Sequence, residues 1–187
     1  MGNASSALSN AIRLGTVAEV NLATARCRVQ VGEMLTDYLP WVVTLAGTTI
    51  IWSAPAIDEQ VVVLSPAGDL ADGVVLRGMY SDQFAAPAAS DTLHVLRFAD
   101  GAQIHYDTEA HALQATLPSG GTASITADGG ITLNGPLTVN GKTMLNGDAT
   151  ITGTAKATTD VIGGGISLKH HKTTGVTAGT ALSGGPQ

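Results

Sequence analysis

The sequence predicts an all-β protein: an N-terminal OB-fold barrel, then an intertwined triple-stranded β-helix forming a homotrimeric prism with a pointed C-terminal apex. Three observations point there. Short alternating strands separated by turn residues fill the first half of the 187 residues. All seven aromatic side chains lie at or before Tyr106. From Ile131 onward glycine recurs every six residues, a spacing of short strands and bends.

The N-terminal segment, residues 1–14, carries Ala7, Leu8, Ala11 and Ile12 at helical spacing before Gly15. It reads either as a short helix over 4–14 or as a frayed end. Residues 15–84 form the barrel. Thr16–Val20 alternates, as does Arg26–Val31, with Cys27, Val29 and Val31 inward and Arg26, Arg28 and Gln30 outward. Further short strands are expected at 39–43, 49–53, 60–64 and 73–78. Five or six of them within about 65 residues suit a small closed barrel. Cys27 is then a small buried hydrophobe, and Trp41 and Trp52 are core residues.

Residues 85–94 read as a linker. Residues 95–107 read as a hairpin turning at Asp100-Gly101, with a second hairpin around Pro118–Gly121. The β-helix is assigned to 95–165 and the tip to 166–187. Within the repeat, glycine stands at 135, 141, 147 and 153, with asparagine before the first three. Apolar residues stand at 133, 139, 145 and 151. A single-chain solenoid needs three such hexads per turn, so this run gives too few turns to cover its own core. Three chains that each supply one face of a prism close every edge. A narrow axial core also accounts for the missing aromatics. Leu133, Leu137, Val139, Leu145 and Ile151 are its expected members.

Composition excludes several functions. The net charge of -6 opposes phosphate-backbone binding, so no nucleic-acid partner is expected. The longest apolar runs fall far short of a membrane span. No basic start precedes an apolar stretch, so no signal peptide is expected. Gly2 and Ser6 fit a myristoylation pattern only superficially. His94, His105 and His111 lie near Asp100, Asp107 and Glu109, yet alternation sets several on opposite faces. No P-loop, nucleophile elbow or HExxH motif occurs. The chain reads as a non-enzyme without a small-molecule substrate. Alternatives are a trimeric hexapeptide-repeat acyltransferase-like protein, or a fibre adhesin, which would need exposed loops or aromatic platforms.

His170 and His171 are adjacent among only five histidines. Neighbouring strand residues face opposite ways, so one of the pair can point at a threefold axis. Three converging imidazoles would suit a transition-metal ion. The other reading is a surface pair beside Lys169 and Lys172.

The order of parts resembles the central spike proteins of contractile tails, the baseplate assembly protein V family of P2-like phages and R-type pyocins. The resemblance rests on Arg13–Val20, Leu35–Trp41, Gly47–Trp52, Glu59–Asp69, Gly73–Asp82, Phe98–Asp107 and Ile166–Gln187. It implies a homotrimeric spike at the baseplate tip of a virion or bacteriocin particle. Sheath contraction would drive it through the target cell's outer membrane, with a tail-hub protein at its N-terminal end. It also implies iron at the tip, which relatives hold with His-x-His from three chains. Aligned on Gly175-Val176, this chain has His171-Lys172-Thr173. His171, rather than His170, is the implied ligand, and threonine replaces the second histidine.

Overall fold

The computed structural model describes residues 11–172 together with Thr174 and Gly179. The chain divides into two compact units, residues 1–125 and 126–187.

The first unit begins with β1 (Ile12–Asn21), β2 (Arg26–Val31), β3 (Met34–Leu35), β4 (Leu39–Pro40), β5 (Gln60–Leu64) and β6 (Val74–Leu76). β1 is long enough to serve two neighbours. Ile12–Thr16 pairs with β5, and Thr16–Asn21 pairs with β2, with a bulge between Val17 and Glu19. β5 pairs with β6, and β2 pairs with β3 and β4. Immediately after β4, Trp41 bridges Val75 of β6, and the Val42 N–H donates to the Val75 carbonyl at 2.8 Å. That crossing closes the ring as an OB-like barrel.

Alternation fills the interior. Val17, Cys27, Val29, Val31, Leu39, Val61, Val63 and Val75 form one buried cluster. Arg26 is exposed and Arg28 and Gln30 are half-buried, as their outward phase requires. At Gly15 a Cβ would meet Val29 Cγ1 at 2.4 Å and the Gln30 carbonyl at 2.7 Å. Only glycine permits that close approach of strands.

Three expectations change here. Ala11 is helical, but Ile12, Arg13 and Leu14 are not; they alternate and pair with Leu64, Val63 and Val62 of β5. Residues 4–10 of that expected helix lie outside the described residues. No strand forms over 49–53: Ile50 makes one bridge to Ala46, and the Ile51 N–H donates to the Leu45 carbonyl at 3.0 Å. The barrel is already closed by Trp41 and Val42, so this segment becomes a small excursion. Trp41 packs half-buried against the core. Trp52 does not: it is 61 % exposed, its ring 5.7 Å from that of Trp41.

Further along the unit, β7 (Leu93–Arg97), β8 (Gln103–Asp107) and β9 (Ala112–Thr116) make an antiparallel sheet. The first turn is Asp100-Gly101 as expected, with Gly101 at φ 90° and the Asp100 carboxylate accepting from the Ala102 N–H. The second hairpin turns at residues 108–111 rather than at Pro118–Gly121. Asp107 Oδ1 accepts from the Glu109 and Ala110 N–H groups, which fixes the bend earlier. Pro118–Gly121 is a turn that follows the last strand.

In the second unit the repeat finds no strand partner within its own chain among the described residues, and residues 126–159 are all exposed. Gly135 and Gly141 sit at φ 138° and 151°, so the expected bends are present at these two asparagine-glycine steps. The unit also holds a short hairpin of β10 (Ile162–Gly163) and β11 (Ile166–Ser167), turned by Gly164 and Gly165 at positive φ.

Candidate functional site

Two features offer chemistry for contact with other molecules. The first is the row of apolar side chains in the repeat. Leu133, Leu137, Val139, Leu145 and Ile151 are between 56 % and 69 % exposed in one chain. Isolated exposed leucines are ordinary, but a periodic row of them is not.

The second is the region around the two histidines. β11 leads into it, and Ser167 organises it. The Ser167 carbonyl accepts from the His171 N–H at 3.0 Å, and its hydroxyl accepts from the His170 N–H at 2.8 Å. Asp160 Oδ1 accepts from the Val161 and Lys169 N–H groups. Hydrogen bonding to Ser167 and then to the Lys169 N–H holds the Asp160 carboxyl below the usual aspartate range. The His171 ring lies with Nδ1 3.0 Å from the Leu168 carbonyl oxygen. A carbonyl only accepts, so Nδ1 carries the proton and the lone pair is on Nε2. That tautomer, oriented by a backbone carbonyl, is the one a metal-binding imidazole adopts. His170 is exposed, and its described hydrogen bond is through its backbone. Thr173 lies outside the described residues.

His171 therefore has the chemistry of a ligand. Among the described residues no three His, Cys, Asp or Glu side chains are grouped to hold a metal ion.

The histidines nearer the middle are not brought together. His94 is opposite Tyr106 in the ladder, which puts it on the other sheet face from His105 and Asp107. Asp107 is engaged by turn N–H groups, which lower its pKa, the Ala110 N–H foremost.

Sequence reasoning missed the ion pair that braces the barrel. Glu59 and Arg77 meet with Nε–Oε1 at 2.8 Å. Arg77 also donates to the Ser53 carbonyl, pinning the excursion after the barrel closure. The only signal was a lone charge at the end of the apolar run Val74-Val75-Leu76.

Residues 13–80 match the family described as the type VI secretion system/phage-baseplate injector OB domain. That range begins within β1 and runs just past β6. The chain is also 46 % identical over 124 residues to the spike protein of Escherichia phage P2. The match covers 66 % of this chain and 57 % of the relative, so the chain spans a little over half the relative's length. A barrel of this topology, this domain match and this identity make the chain similar to the phage-baseplate spike family.

Proposed function

We propose that the protein is the homotrimeric, membrane-piercing spike of a contractile tail, in a phage or an R-type bacteriocin. The observation that carries it is the exposed apolar row following an injector OB domain. Fully withdrawing a leucine or isoleucine side chain from water contributes about 2 kcal/mol. Five such positions per chain therefore leave on the order of 10 kcal/mol unrealised in a monomer. Three copies sharing an axis realise it and pair the strands that one chain leaves open, giving the triple-stranded β-helix over 95–165.

The mechanism is mechanical. The contracting sheath supplies the work, the barrel end binds a tail-hub protein in the baseplate, and the C-terminal tip meets the target outer membrane. Such a part must remain folded under axial load, and a closed prism has no edge at which to fray. No reaction is assigned to it. At the tip, His171 from three chains would hold a transition-metal ion, iron by family resemblance. The ion would supply a crosslink between chain ends. The oriented Nε2 lone pair is what supports this assignment.

Light scattering on the full chain tests the assembly. A mass near three times 18.9 kDa is expected; a stable monomer at micromolar concentration overturns the reading.

A further inference from the structure

Three asparagines of the repeat, Asn134, Asn140 and Asn146, each stand before a glycine. All three are exposed, and so are the glycines that follow them. A Cβ added at Gly135, Gly141 or Gly147 would meet no atom within 4 Å. Space is therefore open on the glycine side of each step, and no side chain there shields the backbone nitrogen. Gly135 and Gly141 sit at φ 138° and 151°, a region that other residues avoid. Among the described residues no hydrogen bond holds the three side-chain amides. Asn21 is placed in the opposite way. It is half-buried at the end of β1, Leu22 follows it, and its Oδ1 accepts from the Ala23 and Thr24 N–H groups at 3.1 and 3.2 Å.

We propose that Asn134, Asn140 and Asn146 are self-modification sites, which deamidate through a cyclic imide. The backbone nitrogen of the following glycine gives up its proton and attacks Cγ of the asparagine. A new N–Cγ bond forms, the bond from Cγ to the side-chain nitrogen breaks, and ammonia leaves with the proton. Water then opens the five-membered ring at either carbonyl, giving aspartate or isoaspartate. No enzyme, metal or oxidant enters the balance. Leu133, Val139 and Leu145 immediately precede the three asparagines. Where those apolar side chains turn towards an axis, alternation turns the asparagines to solvent, so the inference does not depend on the trimeric reading. The consequence accumulates with age. Each conversion adds a negative charge to a chain already at -6, and each isoaspartate lengthens the main chain by a methylene. In a repeat whose register rests on alternation, an inserted backbone atom displaces the side chains beyond it.

Peptide mapping by mass spectrometry tests this on the full chain, aged at mildly alkaline pH and sampled over time. Asn134, Asn140 and Asn146 should each convert at least about tenfold faster than Asn21, because glycine leaves the nitrogen free to reach Cγ. Isoaspartate should form alongside aspartate. Asn140→Gln should all but stop conversion at that position, since the longer side chain must close a less favourable six-membered ring, while Asn134 and Asn146 keep their rates. Conversion no faster than at Asn21 overturns the proposal. So does aspartate without isoaspartate, which would mean direct hydrolysis of the side chain. Light scattering on the same sample separates the readings. A monomer that converts at these sites overturns the trimeric spike and leaves the modification standing; a trimer that does not convert does the reverse.

Discussion

Arg77 and Glu59 meet fork to fork across the mouth of the barrel, with Nε–Oε1 at 2.8 Å and Nη2–Oε2 at 2.9 Å. Their side chains are 18 % and 13 % exposed. Glu59 Oε2 also accepts from the Ala56 N–H, while the Glu59 carbonyl accepts from the Val17 N–H. The pair thus ties the segment before β5 to the end of β6 and to β1. Removing one partner strands the other charge in a poorly solvated place. Arg77→Ala should destabilise the barrel by about 3 kcal/mol in denaturant melts. Arg77→Lys should recover only part of that, lacking the planar fork. The double change Glu59→Leu/Arg77→Met should cost less than Arg77→Ala alone. Equal melting of Arg77→Ala and wild type would show that the pair contributes nothing.

Cys27 gives a pH signature. It is fully buried in the barrel core. Burial pushes the thiol from 9.0 up to about 11, with the nearby Arg77 charge acting against the rise and Glu59 adding to it. The folded state therefore holds its thiol proton more tightly than the unfolded chain does. The associated stability is complete below pH 9 and is lost as pH rises towards 11, amounting to about 3 kcal/mol. Cys27→Ala should flatten that alkaline decline at the cost of a small cavity. In native protein at pH 8, thiol reagents should label Cys27 only as fast as the barrel unfolds. Rapid stoichiometric labelling would contradict this.

Legibility followed periodicity. Arg26–Val31 and Gln60–Leu64 were readable because each alternates strictly and one face is buried, so a one-residue slip would expose valines. The strand expected at Thr49–Ser53 has equally good β-formers, but propensity reports a tendency to fit a sheet and not whether an open edge exists. The closure by Trp41 and Val42 removed that edge. The second hairpin turns earlier than expected for a local reason: Asp107 turns the chain through its carboxylate, a weaker sequence cue than Pro118–Gly121. His171 was singled out by its place beside His170 and by resemblance. Its Leu168 contact depends on how the backbone turns after β11, which no spacing rule encodes.

The repeat supplies a register test. Alternation puts Leu137 and Val139 on one face and Thr138 on the other. Leu145→Asp should place three carboxylates close together on the axis, each with a desolvation cost of several kcal/mol. That variant should run as a monomer, or melt far below wild type, in light scattering with a thermal ramp. Thr138→Asp should remain trimeric with little loss. If the two variants behave alike, the assigned inward face is wrong.

Metal dependence is the sharpest test of the tip. The chain after His171 is rich in glycine, threonine and alanine, a composition that offers little apolar surface for holding three copies together. A cation bound by one imidazole from each chain adds its binding energy directly to assembly. Imidazole ligation favours iron, zinc, nickel or copper over calcium. The Leu168 carbonyl holds His171 in the tautomer that presents Nε2, which lowers the ordering cost of binding. With one imidazole per chain, an ion there would have three protein nitrogens and would complete its shell with water, threonine hydroxyls or anions. Binding should then be weaker than in a six-imidazole site, and removable by a strong chelator. Elemental analysis of the native trimer should find about one metal per three chains. His171→Ala should lose it, and His170→Ala should keep it. A metal-free native trimer would leave the two histidines as surface residues, and an ion retained in His171→Ala would place its ligands elsewhere.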